Sequence, residues 1–424
     1  MKKFSLLAVA ACFFAYSFAQ TDEAVAANKT TGEQLNFTVI KKNAATAVKN
    51  QAATNTCWSF AATSLVESQA LKNNLGEFDL SEMFTVRNIY FEKAKNYVLR
   101  QGYARFSEGG LGHDQIQAIA KYGTMPESVY SGLTAGKKSH DHQRLFVDLK
   151  KYLDSIIKLT PVPEGWLEGF ANILDAALGK PPAEFIYKGK TQTAQSFAKD
   201  ELHFDANDYV MITSFTHHPF YEPFILEVPD NFSNGAYINI PVDEMIQVTK
   251  DALNKGYTVS WDADVSNKGF MQGKAVAGLY DTSILSMIQK AGWKKMQRTT
   301  TQARQGTPSD VEMGKGQAKA NNDGAPANKV SIIDQKEEVA WDATLRQTLF
   351  ENLTTQDDHL MHITGIEKSA DGRDFFIVKN SWGKVGPDNG YINVSESYFG
   401  INTISLVVPK AAISKAMLDK MKIK

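Results

Sequence analysis

The sequence predicts an α+β fold, on three observations. Helical periodicity dominates the amino-terminal half, strand-like alternation dominates the carboxyl-terminal end, and a polar stretch poor in large apolar groups separates them. Helices first and an antiparallel sheet last is the α+β order.

The elements follow in turn. From Cys57 to Leu75 the chain reads C-W-S-F-A-A-T-S-L-V-E-S-Q-A-L-K-N-N-L with no proline, and Gly76 is placed to stop a helix. Ser81 caps a second helix through Phe84 and Val86 toward Tyr97. Gly109-Gly110-Leu111-Gly112 breaks the chain before a third, Gln115 to Tyr122, which Gly123 ends. Further on, helical periods cover Leu145 to Ile157, Glu164 to Leu178 and Val242 to Lys255. Strand-like pieces cover Tyr209 to Ile212, Phe224 to Val228 and Gly256 to Trp261. Arg298 to Lys329 reads as a long exposed loop. Leu360 to Ile366, Asp374 to Lys379, Gly390 to Val394 and Ile404 to Val408 then alternate as strands.

Composition excludes several classes of function. At 43% hydrophobic and 22% charged, 424 residues make a globular protein with one large core or two ordinary ones. A net charge of -1 supplies no field for nucleic acid or anionic membrane. Met1-Lys2-Lys3 and the apolar run Phe4 to Ala19 read as a signal peptide over 1–19, too short to span a bilayer comfortably. An exported protein, periplasmic or secreted, with no transmembrane segment is therefore expected. The minor alternative is lipid anchoring through Cys12, since Val9-Ala10-Ala11-Cys12 looks like a lipoprotein cleavage box.

Cysteine usage sharpens the picture. With Cys12 removed alongside the leader, Cys57 is the one thiol left. An unpaired cysteine is a liability in an oxidising compartment unless its chemistry is wanted, although a buried structural cysteine remains the alternative. Cys57 opens a predicted helix, where the positive end of the helix dipole lowers a thiol pKa. Attack on an amide also needs oxyanion donors and a base that becomes an acid. Gln51, six residues before Cys57, is close enough for its amide to join the Cys57 N–H as a donor.

The segment Gln51-Ala-Ala-Thr-Asn-Thr-Cys57-Trp58-Ser-Phe60-Ala61 resembles the active-site segment of papain-like peptidases. His359-Leu-Met-His-Ile-Thr-Gly365 and Val378-Lys379-Asn380-Ser381-Trp382-Gly383 resemble that family's His and Asn-Ser-Trp-Gly segments. Gly109-Gly110 resembles its glycine pair beside the substrate cleft. On a strand His359 and His362 face opposite ways, so only one can face the thiol. The family spacing, six residues before the glycine, favours His359, and Asp358 before it also fits the pattern. The resemblance implies a papain-like two-lobed fold, helical lobe plus antiparallel sheet or barrel, over 20–424. It implies Cys57, His359 and Asn380 as the catalytic triad and Gln51 in the oxyanion hole. Gly109, Gly110 and Asp358 would bind substrate, with Trp382 and Trp58 supporting from behind. No cofactor or metal is implied. The remaining histidines, His113, His140, His142, His203, His217 and His218, lack paired spacing with acidic partners and read as surface residues.

The papain spacing between Cys and His is roughly 130 to 150 residues, whereas about 300 separate Cys57 from His359. An insertion within 128–340 is implied. With Trp261-Asp262-Ala263-Asp264-Val265 and Leu279-Tyr280-Asp281, it resembles the bleomycin hydrolase and aminopeptidase C branch. Asn55, at a position that is glycine in relatives, is expected to adopt positive φ. The branch implies an aminopeptidase acting on peptide substrates, through a thioester acyl-enzyme, and a homo-oligomer, commonly a ring-shaped hexamer. The tail to Lys424 reads as shorter than that branch's carboxyl-terminal arm. An open cleft and endopeptidase activity are therefore the alternative, and a catalytically dead binding protein is a more distant one.

Overall fold

The protein is described here from a computed structural model, which describes residues 36–279 and 338–424. The 1–19 leader with Cys12, Tyr280-Asp281 and the stretch from Arg298 to Lys329 lie outside the described residues. In chain order the amino-terminal part holds β1 (Phe37–Lys42), α1 (Cys57–Lys72), α2 (Glu82–Leu99), α3 (Gly112–Tyr122), α4 (Gln143–Ile156), α5 (Trp166–Leu178), β2 (Phe185–Tyr187), β3 (Lys190–Gln192) and α6 (Ala194–Asp200). There follow β4 (Tyr209–Thr213), β5 (Pro223–Ile225), β6 (Ala236–Asn239), α7 (Val242–Asn254), β7 (Val259–Ala263), β8 (Phe270–Met271) and β9 (Val276–Ala277). The last part holds α8 (Ala343–Glu351), β10 (His359–Ser369), β11 (Asp374–Lys379), β12 (Tyr391–Ser395), α9 (Glu396–Asn402), β13 (Thr403–Pro409) and α10 (Lys415–Lys420).

Thirteen of the 16 residues of α1 are buried, so the helix has no solvent face and forms the wall between the two lobes. It ends three residues earlier than the position of Gly76 predicts. Asn74 takes φ +58° and Leu75 N–H closes back on the Ala70 carbonyl at 3.0 Å, completing the cap without glycine. Ser81 caps α2 as expected, its Oγ accepting from Phe84 N–H at 3.1 Å. Gly123 ends α3 at φ +76°, where a Cβ would lie 2.1 Å from the Ala194 carbonyl oxygen.

The sheet runs β5-β6-β4-β13-β7-β10-β11-β12-β9-β8, with β1 added on β10. It is mixed rather than purely antiparallel, since β4 with β6 and β12 with β9 pair parallel. The helical lobe packs around Trp58, Leu65, Tyr90 and Phe170 and reaches the sheet at Leu360 and Val407. On the opposite face, α7 packs on Trp261, Met361, Ile363 and Leu406. This is the period-2 alternation of β10 and β13. His359 and Thr403 both pair with Ala263, while Pro409 pairs with Tyr209 at the other end of β13. The tail returns along α7, where Lys420 pairs with Glu244 at 2.7 Å and Lys410 Nζ donates to the Lys424 carbonyl.

Candidate active site

Cys57 stands at the first position of α1, 8% exposed, over the end of the sheet where β10 begins. Its thiol meets the backbone N–H of Leu360, the residue after His359. The expected lowering of its pKa is not what the surroundings produce: burial pushes the thiol up to about 12. The Leu360 N–H opposes that push, and the charges of Asp357, Asp262 and Asp230 add to it. Desolvation of the thiolate among carboxylates outweighs the helix terminus. No hydrogen bond joins Cys57 to His359 among the described residues, an arrangement common in sites without bound substrate.

His359 is fixed from behind. Its Nε2–H donates to Asn380 Oδ1 at 2.7 Å, and that oxygen also accepts from Ser381 N–H at 2.7 Å. Asn380 Nδ2 donates to Gln272 Oε1 at 2.9 Å, which fixes which end of the amide faces the imidazole. The network assigns the Nε2–H tautomer and leaves Nδ1 as the basic nitrogen. Trp382 covers the ring at a centroid distance of 4.8 Å and an interplanar angle of 31°. Burial holds His359 at about 4, against the Asn380 hydrogen bond and the Asp358 charge, so the ring rests neutral.

Gln51 is buried and joined to the same segment. Ser381 Oγ donates to Gln51 Oε1 at 2.6 Å, and Gln51 Nε2 donates to the Thr54 carbonyl at 2.7 Å. A primary amide has two N–H groups, so one stays available. His362 points the other way, into the α1 face. Lys379 Nζ donates to Ser64 Oγ at 2.7 Å, so the Ser64 hydroxyl gives its own proton to His362 Nδ1 at 2.9 Å.

The glycine pair lies against Trp58 of α1 and against Asp230. A Cβ on Gly110 would come within 3.1 Å of the Trp58 ring, and one on Gly109 within 1.9 Å of Asp230 Oδ2. Trp58 Nε1 donates to the Glu108 carbonyl at 3.1 Å, tying this loop to α1. Asp358 is exposed. Opposite Leu360 on β7 stands Asp262, 1% exposed, accepting from Ser405 Oγ at 3.1 Å. Asp357 faces it.

Several expectations need correction. Asn55 is not at positive φ; its N–H is held by the Glu108 carboxylate at 2.8 Å, and Ala52 takes φ +53° instead. His113 and His142 are each 1% exposed, not surface residues: His113 Nδ1 meets the Tyr237 hydroxyl at 2.8 Å, and His142 Nδ1 meets that of Tyr90 at 3.2 Å. His217 and His218 do have an acidic partner, Glu227, at 3.1 and 2.8 Å, because the turn between β4 and β5 folds them onto it. Gln347 Oε1 accepts from Thr216 N–H, which aims its Nε2 at His217 Nδ1 across 2.8 Å. That commits His217 to donating from Nε2 to Glu227 rather than offering a lone pair there. Sequence reasoning missed Gln272, Asp357 and Asp230, and a site role for Asp262; a signal existed only for Asp262, an aspartate within the buried strand Val259 to Ala263.

Residues 103–307 match the model of the Peptidase C1-like family, and residues 280–407, with His359 and Asn380, match that of the papain family cysteine proteases. The solved structure of PepW from Lactobacillus rhamnosis has the same fold, with a TM-score of 0.63 and 18% identity over 92% of this chain and 85% of that one. The two matches overlap and together run from residue 103 to residue 407, a stretch over which the chain is similar to the papain-like cysteine peptidases. Within that class its likeness is to the aminopeptidase C branch. Aminopeptidase C of Listeria innocua is 25% identical over 88% of this chain and 82% of the relative. Aminopeptidase G of Lactobacillus delbrueckii is 21% identical over 87% and 82%.

Proposed function

We propose that the protein removes single residues from the amino end of peptides through a Cys57-His359-Asn380 triad. The observation that carries the triad is the hydrogen bond from His359 Nε2 to Asn380 Oδ1 under Trp382, one residue from the N–H that meets the thiol. With neutral thiol and neutral imidazole at rest, His359 Nδ1 takes the thiol proton as Cys57 Sγ attacks the carbonyl carbon. The oxyanion is met by the Cys57 N–H and the second N–H of Gln51. His359 then protonates the leaving amine as the C–N bond breaks. Water, deprotonated by His359, hydrolyses the thioester and returns the proton to sulfur. Asn380 holds the ring in the tautomer this cycle needs.

The aminopeptidase mode is favoured by the likeness to aminopeptidases C and G. Its test compares one fluorogenic peptide with a free and with an acetylated amino terminus. Preference for the free amine supports the mode, and equal cleavage refutes it. Export with cleavage after Ala19 and a ring-shaped hexamer belong to the same proposal. They are checked by the amino-terminal sequence of the secreted protein and by sedimentation.

A further inference from the structure

Asp262 and Asp357 form a feature the triad does not use. Asp262 lies directly opposite Leu360, so both side chains leave the same face of the sheet, the face that meets Cys57. The Asp262 carboxyl accepts from Ser405 and is hydrogen-bonded to Asp357, and its buried Oδ1 meets no other protein donor. Asp357 Oδ2 is buried too, and the two carboxyl groups are hydrogen-bonded to each other, burial pushing both up so that they hold a shared proton. Asp230 closes the group from the Gly109 side, held by Ser107 Oγ at 3.1 Å and Arg105 at 3.6 Å. All three carboxylates act on the thiol.

A buried carboxyl pair held together by a shared proton can exchange that proton for a cation placed between the two groups. An ammonium group brings one positive charge and three donors. In an aminopeptidase substrate the α-nitrogen lies only about 2.5 Å from the carbonyl carbon that the thiol attacks. A cation subsite for it must therefore border the thiol. Asp262 meets that requirement, being the cross-strand neighbour of the residue whose N–H meets Sγ.

We propose that Asp262 and Asp357, closed off by Asp230, receive the protonated α-amine of the substrate's first residue. This assignment rests on the aminopeptidase reading. The other charged groups nearby leave the site acidic. Lys93 is spent on the Ser107 and Gly109 carbonyls, Arg105 on Asp230, and His113 bridges Tyr237 and Ser233 beside Asp114. The arrangement also couples recognition to chemistry. A bound ammonium cancels the carboxylate charge that holds the thiol protonated, so a substrate with a free amino end favours formation of its own nucleophile.

The test measures alkylation of Cys57 by leucyl chloromethyl ketone with a free and with an acetylated amine, in wild type, D262N and D357N. Two variants guard against one that fails to fold, and thermal melting verifies each. The expected result is a free-amine preference in wild type that falls about tenfold or more in both variants, as befits loss of a charge-assisted hydrogen bond. A wild-type enzyme indifferent to acetylation overturns the aminopeptidase reading and this subsite with it. A wild-type preference that survives in both folded variants overturns the subsite alone. If the variants lose rate only with lysyl chloromethyl ketone, run alongside the leucyl reagent, the cation bound is a side chain and the α-amine assignment fails.

Discussion

Asn380 Nδ2 donates to Gln272 Oε1 across 2.9 Å, so a residue from the segment between the Cys and His halves orients the amide that orients the imidazole. Gln272 is itself held by its Nε2 hydrogen bond to the Tyr391 carbonyl at 3.2 Å. With Gln272→Ala, the Asn380 amide loses what distinguishes its two ends. The expected outcome is a fall in kcat of about tenfold with KM little changed. Gln272→Glu, which still accepts from Asn380, should recover most of the rate. Steady-state kinetics of the two variants check this, and a purely structural role for Gln272 would show no rescue.

The two histidines of β10 should separate cleanly by substitution. His359→Ala should lower kcat/KM by roughly 100- to 10,000-fold while leaving the melting temperature near wild type. His362→Ala should do the reverse. It strips Ser64 of its acceptor beside Lys379, costing about 1–3 kcal/mol of stability with activity largely kept. Urea unfolding and peptidase assays on both variants give the comparison.

The pH profiles follow from the resting charges. His359 must be neutral to accept the thiol proton, and burial holds it at about 4. kcat/KM should therefore hold as pH falls past the ordinary histidine range and drop only toward pH 4. The free thiol, pushed up to about 12 by burial and by three carboxylates, should react with iodoacetamide increasingly up to strongly alkaline pH. Asp357→Asn removes one of those negative charges, so its alkylation profile should shift to lower pH. A shift to higher pH would contradict the electrostatic account.

Gly365→Ala should destabilise the fold by about 1–3 kcal/mol. A Cβ there would lie 2.3 Å from the Lys41 carbonyl oxygen and 3.1 Å from Lys42 Cα, both backbone atoms that cannot step aside. The site falls beside the irregularity in the pairing of β10 with β11, where the other edge of β10 passes from β7 to β1. Thermal or urea denaturation measures the effect.

How far the sequence could be read depended on whether neighbours in space were also marked by pattern. The order of helices before sheet, the Ser81 cap and the fall of His359 and His362 on opposite faces all follow from local periodicity, and each is found in the structure. The short helices α6, α8, α9 and α10 escaped notice because seven to nine residues carry too few turns for a periodic signal, and α10 has six. The parallel pairs β4 with β6 and β12 with β9 join only two residues each, which no sequence pattern announces. The raised thiol pKa was invisible for a different reason. A helix terminus is local and legible, whereas Asp230, Asp262 and Asp357 reach Cys57 only through tertiary folding.

The central claim is that Cys57 carries the acyl group during turnover. Enzyme quenched in acid while turning over an aminoacyl ester, then digested and weighed by mass spectrometry, tests it directly. The account predicts an aminoacyl adduct on the Cys57 peptide in wild type, little adduct in His359→Ala, whose thiol has lost its base, and neither adduct nor activity in Cys57→Ala. Peptidase activity persisting in Cys57→Ala, or an adduct on any other residue, would contradict it.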